Sequence, residues 1–375
     1  MILSPLLPLL EQDLHLSHGE AGSLFLPIQL GYCFGLLVTG VVSSRINHRR
    51  TILLSTTALG VVLLTMAGST SMAGIRVGLV LLGTSAGLYL PSGMSTITEE
   101  IPRKHWGKAI AFHELGPNFG FVGAPLIAEA VLKITSWRGV LAVMGALAIL
   151  AGVLFQVFGR GGSYRSDPPN FGAMRQLLRD SSLWIAALLF AVAVGLSMGL
   201  YAMMPLFLVS EIGMELGLAN TIVGLSRASG IVMIFLAGLV TDRIGHRRAL
   251  VIIFFAMGIL TLLLGLIHGP TATPVLVFLQ PTAVACFFPT AFSMVSQVFP
   301  ANVRGLAVSI VTIFGVLVGA GAIPPGIGYL AEFTSFSFAI SLLGLIALLI
   351  PLLLRYGAAS ASAPGGRPPD PGDSR

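Results

Sequence analysis

Two places in this 375-residue chain set ionisable side chains inside long apolar runs. Arg227 stands in the run Ile222-Val223-Gly224-Leu225-Ser226-Arg227-Ala228-Ser229-Gly230-Ile231. A guanidinium stays charged and presents a planar fork of donors, which suits a carboxylate or phosphate. An ionisable group in hydrocarbon is costly and marks function by default. Gln29 lies 198 positions earlier, the spacing that also separates Arg45 from Arg243. A Gln/Arg pair facing one cavity would bind a small anion, and Tyr32, one turn from Gln29, shares that face. The structural alternative is that Arg227 pairs with a carboxylate or with helix carbonyls and holds the fold together. His113 and Glu114 form the second place. Asn118 follows Glu114 by one helical turn, so the two share a face. Glu114 is a candidate proton acceptor that would couple solute movement to a proton gradient, with His113 and Asn118 beside it. The alternative is an ion pair between Glu114 and Arg227 or a basic residue near the helix end.

Other chemistry is missing from the pattern. Cys33 and Cys286 lie in apolar runs and read as small core residues, not as a disulfide or metal pair. No His/Glu metal motif, no Gly-x-Ser-x-Gly elbow and no phosphate loop ending in Lys-Ser/Thr occurs. The expectation is a protein that is not an enzyme, with no cofactor and no metal.

The elements that must carry these residues are membrane helices. Hydrophobic residues make up 55% of the chain and charged residues 10%, too few charges for a soluble domain of this size. Apolar runs of about twenty residues recur, each long enough for a hydrocarbon core of roughly 30 Å. The spacing predicts helices over 1–10, 21–42, 52–71, 73–97, 107–132 and 136–158. A second set is predicted over 183–209, 217–241, 249–268, 272–297, 305–331 and 335–355. The connections 43–51, 98–106, 159–182, 242–248 and 298–304, with the tail and flanking helix ends, hold 17 of the 21 basic residues. The positive-inside rule makes that side cytoplasmic and, with twelve helices, both termini with it. The net charge of +6 is therefore topological and no nucleic-acid footprint. The expected setting is a bacterial inner membrane, with the lipid bilayer as solvent and a monomer as the working unit.

The chain divides into an N-terminal bundle over 1–158, a linker over 159–182, a C-terminal bundle over 183–356 and a disordered tail over 357–375. The first predicted helix is about half the length of its counterpart near Leu183. About fifteen upstream residues are expected to be missing from it, or the protein has a genuine half-helix at its start.

Two short runs repeat. Gly40-Val41-Val42-Ser43-Ser44-Arg45-Ile46-Asn47-His48-Arg49-Arg50 matches Gly238-Leu239-Val240-Thr241-Asp242-Arg243-Ile244-Gly245-His246-Arg247-Arg248. The same offset relates Pro91 to Pro289, Pro102 to Pro300 and Gly107 to Gly305. Duplicated apolar halves around a central site are a feature of secondary transporters.

The repeated run resembles the loop signature Gly-x-x-x-Asp-Arg-x-Gly-x-Arg-Arg of the major facilitator superfamily. The second copy matches at Gly238, Asp242, Arg243, Gly245, Arg247 and Arg248. The first keeps Arg45, Arg49 and Arg50 but has Ser44 for the Asp and Asn47 for the Gly. The resemblance implies an all-α membrane fold of two six-helix bundles that rock around a central cavity, with these loops as a cytoplasmic latch. It also implies that the fourth and tenth helices line the cavity. Tyr89, Ser92, Gln280, Thr282 and Thr290 are then the polar candidates there, with Tyr201 on the seventh. Each is either a ligand group or helix-to-helix glue. Pro91 and Pro289 are expected to bend their helices at matched depths. The fragment Gly116-Pro117-Asn118-Phe119-Gly120 partly resembles the superfamily's antiporter motif, with Phe121 in place of its final Gly.

The function expected from these residues is alternating-access transport of a small organic anion, with protons as a possible coupling ion. Efflux of drugs by proton antiport is the alternative. A non-transporting sensor that kept the carrier fold is the reading from another class.

Overall fold

The computed structural model describes residues 2–102, 105–165, 175, 177–230, 233, 241, 243–299 and 301–361. Within them the chain is helical, with no strand. Nine of the described helices are long and apolar enough to cross a membrane.

The first half carries α1 (Leu3–Leu14), α2 (His18–Ser23), α3 (Phe25–Ile46), α4 (His48–Ala67), α5 (Met72–Gly87), α6 (Tyr89–Glu100), α7 (Trp106–Leu132) and α8 (Trp137–Phe158). The second carries α9 (Ser181–Val194), a π-helical turn (Gly195–Gly199), α10 (Leu200–Ser210), α11 (Leu216–Ser226), α12 (His246–Leu266), α13 (Ala272–Ala285) and α14 (Phe287–Val298). It ends with α15 (Ala301–Gly315), a second π turn (Val316–Ala322), α16 (Ile323–Phe333) and α17 (Phe336–Ala361). Several pairs are single spans broken by one residue, so the described helices follow the order of the predicted segments, but their ends differ: α1 runs on to Leu14, α2 starts at His18, α4 at His48 and α12 at His246. The tail beyond Ala361 lies outside the described residues, and α17 runs into the stretch expected to be tail.

The duplication is written in the backbone. The break between α5 and α6 falls at Leu88 (φ −67°, ψ −23°) and that between α13 and α14 at Cys286 (φ −68°, ψ −20°), one repeat apart. Each break lies three residues before Pro91 or Pro289, where the proline ring disturbs the preceding turn. Ile101 (φ −110°, ψ 130°) and Phe299 (φ −103°, ψ 135°) end the two spans alike.

The predicted loops 43–51 and 242–248 are far tighter than expected. A single residue, Asn47, separates α3 from α4. Its basic and polar neighbours continue the helices, and the reversal is made by one left-handed residue. Asn47 has φ 72° and ψ 165°, and Gly245 has φ 80° and ψ 148°. The departure from the family pattern at Asn47 therefore keeps the conformation that Gly provides, since Asn tolerates positive φ better than most residues. Asn47 Oδ1 also accepts the Arg50 amide at 3.0 Å and caps α4.

Glycines set the closest helix approaches. Gly31 and Gly35 on α3 face Gly83 and Gly87 on α5, and an added Cβ at any of the four would overlap the partner's backbone. Small residues four apart on both helices are the usual route to such contact in membranes. The second half is packed around aromatic rings, with Phe190 and Phe254 edge-on to Phe287 at 5.1 and 5.6 Å.

The halves meet through α1 with α10, α2 with α16, α3 with the second π turn, and α7 with α11. These contacts run from the middle of the bundle to the face opposite the basic loops. There Glu332 accepts the Gly19 amide at 2.6 Å, and a Cβ at Gly22 would meet Pro324 O at 2.6 Å. His18 Nδ1 lies 2.9 Å from Glu11 Oε1 beside this contact. Toward the basic face Phe112 and Phe119 on α7 are exposed, and Gly116 and Gly120 have no neighbour among the described residues within 4 Å of a built Cβ.

The start of the linker docks on the first half. Gly162 O accepts the Arg49 amide at 2.7 Å, Tyr164 O accepts the His48 amide at 3.3 Å, and the Tyr164 ring packs 4.6 Å from His48.

Candidate functional site

Arg227 terminates α11, eleven residues in from Leu216, which is about 17 Å of helix at 1.5 Å per residue. The span breaks there instead of continuing as one helix, and Gly230 N closes a short turn back to Arg227 O at 3.2 Å. Its guanidinium reaches α9–α10, not a carboxylate. Nη2 donates to Ser197 O at 2.7 Å, and Nη1 lies 3.5 Å from Ser197 Oγ. Cζ sits 4.3 Å from the Tyr201 ring and 5.2 Å from the Phe121 ring, both within cation–π range. Its Nε is buried and has no acceptor among the described residues. No carboxylate pairs with Arg227 among the described residues.

The π turn explains why these groups converge. A π turn widens the helix and misaligns its carbonyls, and such turns gather at functional sites. Ser197 O takes Arg227, and Leu196 O takes Gln280 Nε2 at 3.0 Å. Gln280 is 2% exposed, and its amide also lies 3.3 Å from Thr261 Oγ1. The structure thus brings Arg227, Tyr201 and Gln280 to one turn, with Gln280 committed to the packing of the second half.

Gln29 is not among the hydrogen-bonding or ring partners of Arg227 in the described residues. It packs against the second π turn, where its Cβ lies 3.2 Å from a Cβ built on Gly321. The two π turns themselves meet, Gly195 and Gly199 packing on Gly319. The repeat-related pair therefore flanks one packed unit from two sides. Tyr32 lies one turn along α3, where Gly83 and Gly87 press on its backbone.

Tyr89 and His113 form a separate pair toward the basic face. Their rings stack at 5.8 Å and 10°, and Tyr89 Oη lies 3.2 Å from His113 Nε2. Glu114 and Asn118 are on the same helix, but their side chains lie outside the described residues. Ser92 and Thr290, one repeat apart, are fully buried and bond within their halves, to His48 Nδ1 at 3.2 Å and Thr241 Oγ1 at 2.7 Å.

In the loop signature, Gly238 and Asp242 lie outside the described residues. Arg45, Arg50, Arg243, Arg247 and Arg248 are exposed at the basic face. Arg49 donates to Gln156 O at 2.8 Å, the last turn of α8, as well as anchoring the linker.

Phe121 and Ser197 were not singled out as site residues from the sequence. Phe121 carried one signal, as the aromatic that stands where the resembled motif has Gly. Ser197 carried another, in the pair of glycines at Gly195 and Gly199 that bracket it.

An apolar site with a guanidinium between two rings, and no carboxylate beside it among the described residues, can hold a small organic anion. Comparison with known proteins points the same way on fold. The profile of the Major Facilitator Superfamily matches residues 1–280 and 230–373. A putative metabolite transport protein of Haemophilus influenzae is 24% identical over 371 residues, 92% of this chain and 88% of that one. A probable 4-methylmuconolactone transporter of Cupriavidus pinatubonensis is 24% identical over 363 residues, 92% of this chain and 83% of that one. Among solved structures, a bacterial homologue of the human lysosomal transporter Spinster, in an inward-facing and occupied conformation, aligns with a TM-score of 0.79. That pair shares 16% identity and covers 96% of this chain and 93% of the other.

Proposed function

The chain belongs to the Major Facilitator Superfamily, and from that premise we propose that it carries a small organic anion across a bacterial inner membrane by alternating access. It is an integral membrane protein and a secondary transporter. Its basic face lies in the cytoplasm, by the bias of Lys and Arg to that side. Among the described residues, contacts between the halves gather at the opposite face, so the state is closed outside.

The observation that carries the anion is Arg227. Its charge is held at mid-depth by two aromatic faces and one carbonyl, with Nε lacking an acceptor among the described residues. Those partners are neutral, so among the described residues the positive charge has no counter-charge and suits an incoming carboxylate or phosphate. The same charge repels a cationic drug. His113 stacked on Tyr89, with Glu114 next in the chain, is the proposed route for a coupling proton.

The test is solute uptake into liposomes by variants at Arg227. Arg227→Gln should abolish transport and leave the protein folded. Arg227→Lys should retain part of the activity, because the charge survives and the fork does not. Arg227→Gln with Glu114→Gln separates the structural alternative. If Arg227 serves only to neutralise Glu114, the single variant loses yield and the double one recovers it. That recovery would contradict the proposal.

A further inference from the structure

A proline at position i leaves the carbonyl at i−4 without its helical donor. In hydrocarbon that oxygen is costly until another donor reaches it. Three such oxygens find side-chain donors among the described residues. Pro91 frees Gly87, whose oxygen accepts from Thr39 Oγ1 at 3.3 Å within the first half. Pro125 frees Phe121 on α7, whose oxygen accepts from Tyr201 Oη at 2.8 Å. Pro205 frees Tyr201 on α10, whose oxygen accepts from Ser4 Oγ on α1 at 2.9 Å.

The last two run between the halves, in opposite directions, and both use Tyr201. Its hydroxyl donates to the first half, and its carbonyl accepts from the first half. Tyr201 and Ser4 are buried, at 3% and 1% exposure, so water does not compete in this state. The Phe121 and Tyr201 rings meet edge-on at 5.4 Å and hold the pair in register.

We propose that Tyr201 is a positioning residue for the transport cycle, tying the two halves together in the outward-closed state through two carbonyls that prolines have released. An ordinary helix carbonyl already has its own helix's donor and gains less from a second one, as Ala202 O does from the same Ser4 hydroxyl at 3.1 Å. A proline-freed oxygen must be bonded elsewhere, so it rewards closure and penalises separation. On opening, both oxygens turn to water admitted into the cleft. The tie needs no ligand, so it holds whether or not Arg227 binds an anion. It shares one side chain with that site, since the Tyr201 ring also carries the guanidinium.

The test uses the full-length protein in liposomes with Cys33→Ser and Cys286→Ser. Spin labels are placed at Thr135→Cys in the first half and Thr334→Cys in the second, both exposed at the outer face. Pulsed distance measurements read the ratio of outer-open to outer-closed molecules. Tyr201→Phe should raise that ratio by roughly tenfold, the equivalent of one hydrogen bond. Pro125→Ala restores the amide donor for Phe121 O, so the double variant should return most of the way. Ser4→Ala and its pairing with Pro205→Ala form an independent second arm, which decides the matter if the Pro125 variant does not fold. A Tyr201→Phe distribution equal to the wild type would overturn the proposal. So would an opening that neither proline change reverses.

Discussion

Asn47 and Gly245 show how much one backbone angle does in this protein. Each reverses the chain between two helices, with φ of 72° and 80°. Asn47→Gly should fold, losing the cap to Arg50 and shedding strain, with a net change under about 1 kcal/mol. Gly245→Leu should cost about 1–3 kcal/mol, because a side chain at positive φ is strained whatever the space around it. Thermal unfolding in detergent ranks the two. Equal losses at both sites would mean the turns are set by the flanking helices instead. Arg227 was legible at this scale, because a charge in an apolar run stands out by its cost. Its partners were not. Tyr201 was marked only as a polar residue on the seventh helix, and Phe121 only as a departure from a motif.

Among the elements, helix existence followed from apolar length, helix extent did not because polar and basic ends continue the helices, and the repeat offset reappears in the breaks at Leu88 and Cys286. The two π turns were invisible, since an extra residue in one turn leaves the apolar pattern unchanged. Proline effects were expected as bends at Pro91 and Pro289. Which donor each released carbonyl finds depends on a helix far away in the chain, and no local pattern reports that. The contact of α3 with α5 rests on Gly31, Gly35, Gly83 and Gly87. Gly83→Val should therefore sharply lower the yield of folded protein, while Gly123→Ala, whose nearest neighbour lies 3.8 Å from a built Cβ, should not. Size-exclusion profiles of the two variants give the comparison, and matched monodisperse peaks would contradict the packing argument.

For the whole molecule, the outer seal follows from small residues on α2 and α16. Gly19, Gly22 and Gly328 allow backbone and ring contacts that a larger residue would block. Gly22→Trp should hold the halves apart outside, since a Cβ there already meets Pro324 O at 2.6 Å. Transport should fall to background while the distance between spin labels at Thr135→Cys and Thr334→Cys shifts to the longer, outer-open value. An unchanged distance would show that the seal lies elsewhere. The outer cleft beside it, about 560 Å³ and lined by Asp13, Glu129, Glu215 and Lys133, is open to solvent. Asp13 there is already committed to Arg138 at 2.6 Å and Trp137 at 3.0 Å.

The central claim is that Arg227 receives an organic anion. Ligand-induced thermal stabilisation of the purified full-length protein tests it most directly. The panel holds monocarboxylates, dicarboxylates, sugar phosphates and lipophilic cations, applied to the wild type, Arg227→Lys and Arg227→Gln. A ligand at a hundred times its dissociation constant adds about 2.7 kcal/mol of stability. At least one anion should stabilise the wild type by that order, Arg227→Lys by less and Arg227→Gln not at all. Stabilisation by cations alone, or by an anion equally in wild type and Arg227→Gln, would contradict the account.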